Sequence, residues 1–125
     1  MINENLLTKM CFAIQAREGW APGTTSYRNC NPFNLKYAGQ LGSTGKDARG
    51  FAVFPTYESG LNAGRRQILL VASGKSKVYP NPCTLTKFFA IYAPASDNNA
   101  PVEYVKFVAG KMGVDTTFIL SELLE

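Results

Sequence analysis

Apolar side chains recur at helical spacing near the start of the chain. Four of them fall at positions i, i+3, i+4 and i+7, namely Leu7, Met10, Cys11 and Ile14. This spacing places them on one face of an amphipathic helix. We expect that helix to run from about Glu4 to Arg17, with Asn3 as the cap at its start and Gly19 beyond its end.

The middle of the chain predicts a second helix. Thr56 is a suitable capping residue, Glu58 lies in the first turn, and Gly74 marks the end. The apolar stripe of this helix consists of Leu61, Gly64, Ile68 and Val71. Because Gly64 has no side chain, it permits another part of the chain to pack closely against the helix.

Two shorter helices are predicted after the break at Tyr79-Pro80-Asn81-Pro82. Thr84 caps the third helix, which Pro94 ends, because the residue before a proline avoids helical geometry. Either Asn98 or Asn99 is expected to cap the fourth, which has Pro101 in its first turn.

Short β-prone runs and turn-forming residues occupy the remaining segments. The runs 34–37 and 51–54 flank the glycine-rich segment 38–50 and predict a small irregular hairpin. Turn formers dominate residues 20–32, which we expect to be a structured loop. A short fifth helix from about Thr117 to Leu124 completes the pattern. Helices with one small hairpin indicate an α+β fold that is mostly α.

The composition agrees with one soluble globular domain over residues 1–125. The chain is 46% hydrophobic and 18% charged, which argues against a disordered tail. Its length suits one hydrophobic core better than two. No stretch approaches the roughly 18 apolar residues of a membrane span, and the amino terminus lacks a basic segment followed by an apolar run.

Two features of the composition limit the chemistry. The chain has no histidine, which excludes histidine-based acid–base catalysis, Ser-His pairs and the commonest zinc sites. With no cluster of carboxylates either, neither a metal nor an organic cofactor is implied. The cysteines Cys11, Cys30 and Cys83 are widely separated, so we interpret them as small buried hydrophobic residues rather than a disulfide framework.

The chain is basic, with a formal net charge of +4 and a pI near 9.1. This charge favours encounter with a polyanion. Lysines and arginines are scattered, with no run longer than Arg65-Arg66, so a nucleic-acid-binding stripe is disfavoured relative to an ordinary solvated surface.

Glu18 is the first candidate for catalysis. It follows the predicted first helix and precedes Gly19 and Trp20, the single tryptophan of the chain. The negative end of the helix dipole and burial beside an indole would both raise the pKa of this carboxyl toward the range useful to a general acid. Arg17 would oppose the shift if its guanidinium turned inward. A solvated surface charge is the competing interpretation.

Several motifs extend this candidate across nearly the whole chain. They are Arg17-Glu18-Gly19-Trp20, Ser26, Arg28-Asn29-Cys30-Asn31-Pro32-Phe33-Asn34-Leu35, Gly50-Phe51-Ala52-Val53-Phe54-Pro55-Thr56 with Glu58 and Gly60, and Tyr92-Ala93-Pro94 with Asp97-Asn98-Asn99, Pro101 and Tyr104. This spaced combination resembles the small phage peptidoglycan-degrading proteins of the lysozyme superfamily. Those proteins are similar in fold to soluble lytic transglycosylases and goose-type lysozymes. The chain departs from the Asn-Asn-Pro-Gly-Asn pattern frequent in the family, because Cys30 and Phe33 replace its first Asn and its Gly.

The resemblance implies a lysozyme-like fold in which a helix ends at the catalytic glutamate and a polar hairpin lobe forms one wall of a sugar groove. Glu18 would act as general acid and then base on the β-1,4 bond between N-acetylmuramic acid and N-acetylglucosamine. A lytic transglycosylase would use a hydroxyl of the sugar itself, and a lysozyme would use water. The residues expected to bind substrate are Ser26, Asn31, Asn34, Tyr37, Glu58, Tyr92, Asp97 and Asn98.

Each of these residues has a structural interpretation as well. Asn31 and Asn34 could donate to sugar hydroxyls or fix their turn. Ser26 could hydrogen-bond Glu18 or be an ordinary loop serine, and Tyr92 could orient the acetamido group or pack in the core. The side chains of Tyr27, Tyr37 and Tyr57 could either stack on sugar rings or pack in the hairpin. Glu58 and Asp97 are candidates for a second catalytic carboxylate, although each also suits a helix start.

The preferred hypothesis is therefore a phage-encoded peptidoglycan transglycosylase or muramidase. The chain would be made in the host cytoplasm without a signal peptide and act in the periplasm or cell wall on glycan strands, either alone or as a virion component. A catalytically inactive virion or wall-binding protein with the same fold is the alternative, and a basic nucleic-acid-binding protein is a further, disfavoured class.

Overall fold

The fold is α+β and mostly α, as the sequence predicts. A computed structural model describes residues 1–97 and 99–124. Helices form about half of the chain, and a single two-stranded antiparallel sheet is present in the described residues. In chain order the elements are α1 (Glu4–Arg17), α2 (Thr25–Arg28), β1 (Gly45–Lys46), β2 (Ala52–Val53), α3 (Tyr57–Ala72), α4 (Leu85–Tyr92) and α5 (Pro101–Met112), with 3-10 turns at Ala95–Asp97 and Leu120–Leu123.

The helix starts are set by side-chain caps at the predicted positions in three cases. The Oδ1 atom of Asn3 accepts from the backbone N–H of Leu6 at 3.2 Å at the start of α1. Thr56 caps α3 through the N–H of Ser59, and Thr84 caps α4. Each cap satisfies a backbone donor that the first turn leaves without a partner.

The predicted cap of α5 is wrong. Ala100, rather than Asn99, occupies the position before the helix and makes no side-chain cap, and Asn98 lies outside the described residues. The reason is Pro101, whose fixed φ suits the first helical position and pushes the preceding residue toward extended geometry. Ala100 accordingly has φ −115° and ψ 83°.

The carboxyl-terminal part of the chain corrects another prediction. In place of a helix from 117 to 124, only the 3-10 turn Leu120–Leu123 forms. Ile119 is extended and pairs with Thr84, and the N–H of Leu85 donates to the carbonyl of Phe118 at 2.9 Å. This long-range pairing holds the residues before the turn in extended geometry, which prevents a longer helix.

The predicted hairpin exists in altered form. Strand β2 pairs with β1, which lies inside the segment expected to be the connecting loop. The run 34–37 contributes one bridge, from Lys36 to Phe51, on the other side. The Asp47-Ala48-Arg49-Gly50 turn lets the nearer segment reach β2, because a short loop costs less closure entropy than a long one.

The chain divides into two compact units. One contains residues 14–67, and the other contains residues 1–13 together with the chain from Ile68 onward. The core of the second includes an aromatic cluster of Tyr79, Phe88, Phe89, Tyr92 and Tyr104, whose neighbouring rings lie 4.6–6.1 Å apart. Burial, with a smaller contribution from Cys83, raises the pKa of Tyr79 to about 12. The single-domain organisation expected from the chain length stays a prediction.

Candidate active site around Glu18

A glycine-terminated helix end fixes the position of Glu18. The N–H of Glu18 donates to the carbonyl of Ile14 at 2.9 Å, and Gly19 then turns the chain with a φ of +78°. The N–H groups of Gly19 and Trp20 donate back to Ala16 and Gln15 at 3.1 and 3.3 Å. This pair of bonds closes the helix and leaves the half-buried Glu18 at the negative end of the α1 dipole.

Aromatic rings surround the residue that follows this turn. The Trp20 ring lies 4.9 Å from that of Tyr27 and 5.1 Å from that of Tyr57, measured between centroids. We call these three residues the Trp20 cluster. The hydroxyl of Tyr57 donates to the side-chain oxygen of Gln15 at 2.6 Å. The cluster is therefore tied to the last turn of α1, the same turn that positions Glu18.

Helix α2 presents Tyr27 and buries Ser26. The sequence predicts only a loop here, because four residues are too few to show helical periodicity. Thr24 caps the helix by accepting from the N–H of Tyr27 at 3.3 Å. The Ser26 side chain is 1% exposed, and its hydroxyl lies 3.3 Å from that of Thr24.

The side chain of Asn31 fixes its turn rather than being available to sugar hydroxyls. Its side chain is fully buried, and its Nδ2 donates to the carbonyls of Leu35 and Ala52 at 2.9 and 3.0 Å. Its Oδ1 accepts from the N–H of Leu35 at 3.0 Å. Since both ends of the amide are engaged with the backbone, Asn31 joins its turn to β2, and we do not retain it as a sugar ligand.

Asn34 behaves differently in the same turn. Its backbone adopts a left-handed conformation with φ +52°, and its Oδ1 is buried with no hydrogen-bond partner among the described residues. A buried acceptor without a donor is costly. A donor from water or from a ligand would remove that cost, so the predicted substrate-binding role of Asn34 stays open.

The structure explains the departure from the Asn-Asn-Pro-Gly-Asn pattern at Phe33 and leaves the one at Cys30 without an explanation. Cys30 has φ +51°, a conformation that asparagine adopts more readily. Phe33 is 1% exposed and packs against Gly64, where a Cβ would lie 2.7 Å from its ring. The close packing predicted at Gly64 is thus observed, and Gly60 likewise faces the carbonyl of Cys30.

Neither Asn29 nor Asp47 was predicted to take part in the site. The Nδ2 of the buried Asn29 donates to Oδ2 of Asp47 at 2.9 Å, and Oδ1 of Asp47 accepts from the N–H groups of Arg49 and Phe51. The bond from Asn29, followed by that from Phe51, lowers the pKa of Asp47. The pattern Asp47-Ala48-Arg49-Gly50, with Asp first and Gly fourth, could have predicted the turn, although not the bond from Asn29.

The other predicted site residues have different surroundings. Tyr37 is 42% exposed, and Glu58 is exposed in the first turn of α3. Tyr92 and Asp97 belong to the other compact unit, where the Tyr92 ring packs in the aromatic cluster and Asp97 is exposed in a 3-10 turn. Asn98 lies outside the described residues.

Family models, curated proteins and solved structures give no match to this chain. The function of the chain is therefore inferred from its own residues and from the resemblance of their motifs.

No group of three or more His, Cys, Asp or Glu in residues 1–97 and 99–124 is arranged to hold a metal ion. Across the same residues, no helix combines the length and apolar character needed to cross a bilayer.

Proposed function

We propose that this chain cleaves the β-1,4 bond between N-acetylmuramic acid and N-acetylglucosamine in bacterial cell-wall peptidoglycan, with Glu18 as the proton donor. One observation carries the proposal. A half-buried carboxyl residue lies where α1 ends, held by a glycine turn and followed directly by a cluster of aromatic rings. The negative end of the helix dipole favours the protonated form that a general acid requires.

In the proposed reaction the Glu18 carboxyl acts first as general acid and then as general base. Glu18 protonates the bridging oxygen as the bond from that oxygen to the anomeric carbon breaks. The acetamido oxygen of the substrate stabilises the resulting cationic centre, so no protein nucleophile is needed. Glu18, now a carboxylate, then removes the proton from the attacking hydroxyl. Attack by the sugar's own hydroxyl gives a 1,6-anhydro end, and attack by water gives a reducing end.

The other two carboxylates of the compact unit that contains Glu18, Asp47 and Glu58, support a single-acid mechanism. Asp47 holds its turn through three N–H donors and has a lowered pKa, so it is suited neither to donate a proton nor to move. Glu58 is exposed in the first turn of α3, where its charge complements the helix dipole.

Glu18→Gln tests the proposal directly. The amide cannot transfer the proton, so activity on purified sacculi should fall by at least about 100-fold. The circular dichroism spectrum of the variant should match that of the parent protein, which would show that folding is unchanged. Glu103→Gln, which removes an exposed first-turn carboxylate from α5, is the matched control and should keep full activity. Retained turnover in Glu18→Gln would exclude Glu18 as the acid.

Mass spectrometry of the released muropeptides distinguishes the reaction types. We expect anhydro ends, which are lighter than hydrolysed ends by one water. Reducing ends alone would identify a lysozyme, and a loss of activity in Glu58→Gln or Asp97→Asn as large as in Glu18→Gln would indicate a two-carboxylate mechanism. Binding to sacculi without any release of fragments would favour the inactive wall-binding protein.

A further inference from the structure

The outer member of the Trp20 cluster, Tyr27, is exposed on one side and contacts Trp20 on the other. The Tyr27 side chain is 43% exposed, although its ring contacts Trp20 at 4.9 Å. Trp20 itself is only half-buried and has Tyr57 near it at 5.1 Å. An exposed ring supported from behind by other rings is a preformed apolar surface.

The surrounding structure holds this surface rigidly. Tyr27 lies in α2, whose cap at Thr24 accepts from the N–H of Tyr27 itself. The hydroxyl of Tyr57 is engaged by Gln15. The Tyr27 backbone and the Tyr57 ring behind Trp20 are each held by a hydrogen bond, so we expect little conformational entropy to be lost when a ligand contacts Tyr27.

The surface is also close to the proposed acid. Trp20 follows Glu18 by two residues, and a chain of two residues spans at most about 7 Å between Cα atoms. The Tyr27 ring lies a further 4.9 Å from the Trp20 ring, so a glycan strand of a few sugar units is long enough to contact Tyr27 and Glu18 together.

We propose that Tyr27, supported by Trp20, is the stacking surface for an N-acetylhexosamine unit of the glycan strand. This inference deepens the proposed function and rests on it for the identity of the sugar. One face of such a pyranose consists of C–H groups, which pack against an aromatic ring while the equatorial hydroxyl and acetamido groups stay at the edge. Tyr27 would thus bind and orient the strand without taking part in proton transfer.

The single tryptophan makes the test direct, because all indole emission comes from Trp20. The probe is the N-acetylglucosamine tetramer, titrated against the Glu18→Gln protein so that cleavage does not interfere. We expect a saturable change in Trp20 emission. Tyr27→Ala should weaken binding by about tenfold, since one aromatic contact contributes about 1 kcal/mol, and Tyr27→Phe should bind within roughly twofold of the parent because it keeps the ring.

Phe12→Ala is the matched control, because Phe12 is an exposed aromatic residue of α1 at 55% exposure. It should leave the titration unchanged. Equal affinity in the parent and in Tyr27→Ala would overturn the inference, as would equal weakening in Tyr27→Phe and Tyr27→Ala, since the ring alone would then not account for binding.

Kinetics with sacculi separate the two proposals. In the active protein, Tyr27→Ala should raise KM with little change in kcat, because stacking is made equally in the ground state and the transition state. Turnover that depends on Glu18 while Tyr27→Ala leaves KM unchanged would refute the stacking role and keep the proposed function. Tetramer binding that depends on Tyr27, with no turnover in any variant, would refute the function and keep the stacking role.

Discussion

Asn31 and Asn34 lie three positions apart in one turn, and their side chains are used in opposite ways. The amide of Asn31 makes three hydrogen bonds to backbone groups inside the protein, whereas Oδ1 of Asn34 is buried without a partner among the described residues. Sequence alone could not distinguish the two, because both are asparagines beside turn residues. The difference depends on β2, which supplies the carbonyl of Ala52.

Asn31→Ala is expected to be strongly destabilising. It leaves the N–H and carbonyl of Leu35 and the carbonyl of Ala52 without their side-chain partner in a buried site, so the free energy of unfolding should fall by about 3 kcal/mol. Urea unfolding measures this change. The control Asn62→Ala, at an exposed position of α3, should change the stability much less, and a similar loss in both variants would contradict the assignment.

At the scale of elements, α1, α3 and α5 end in the same way. Gly19, Gly74 and Gly113 adopt φ values of +78°, +74° and +73°. In each case the glycine N–H and the N–H of the following residue donate back to carbonyls of the last turn. Glycine is favoured there because other residues rarely adopt this conformation.

Local and long-range determinants explain which elements the sequence could predict. The bounds of α1 and the caps Asn3, Thr56 and Thr84 follow from nearby residues, so periodicity and capping rules find them. The pairing of β1 and the extended Ile119 depend on partners elsewhere in the chain, which no local pattern contains. In the candidate site, the position of Glu18 at the end of α1 and the turn at Gly19 follow from the local pattern, whereas the Asn29–Asp47 bond required the folded structure.

Two helical glycines provide an element-scale prediction. In Gly64→Ala the new Cβ would lie 2.7 Å from the Phe33 ring, so the free energy of unfolding should fall by about 2 kcal/mol. Gly110→Ala, in α5 with nothing within 4 Å of the new Cβ, should raise it by about 0.8 kcal/mol through helix propensity. Thermal unfolding of both variants checks the pair. The two substitutions should change the free energy of unfolding in opposite directions. A decrease in Gly110→Ala would contradict the expectation that its new Cβ meets no neighbour.

At the scale of the whole molecule, the positive charge is distributed unevenly along the chain. Residues 14–67 contain seven lysines and arginines and three acidic residues, whereas the rest of the chain contains six of each. The formal net charge of +4 therefore belongs entirely to the unit that contains Glu18. Such an imbalance favours the approach of an anionic polymer to that unit.

Binding to isolated cell wall should therefore weaken as salt is added, because counterions screen the attraction. Lys46→Glu, exposed in β1, should weaken binding at low salt by roughly threefold and reduce the salt dependence. Lys106→Glu makes the same charge change at an exposed position of α5 and should have a smaller effect. Cosedimentation with sacculi measures both; equal effects would mean that only the total charge matters.

The cysteines of the two compact units differ in their accessibility to an alkylating reagent. Cys30 is partly exposed in residues 14–67, while Cys11 and Cys83 are buried in the other unit. Burial also raises the pKa of the Cys83 thiol, against the opposing effect of Lys87, which keeps the unreactive protonated form dominant. Alkylation of Cys11 and Cys83 thus requires local opening of their unit. The rates at which these two thiols react, compared with that of Cys30, therefore report the free energy of that opening under native conditions.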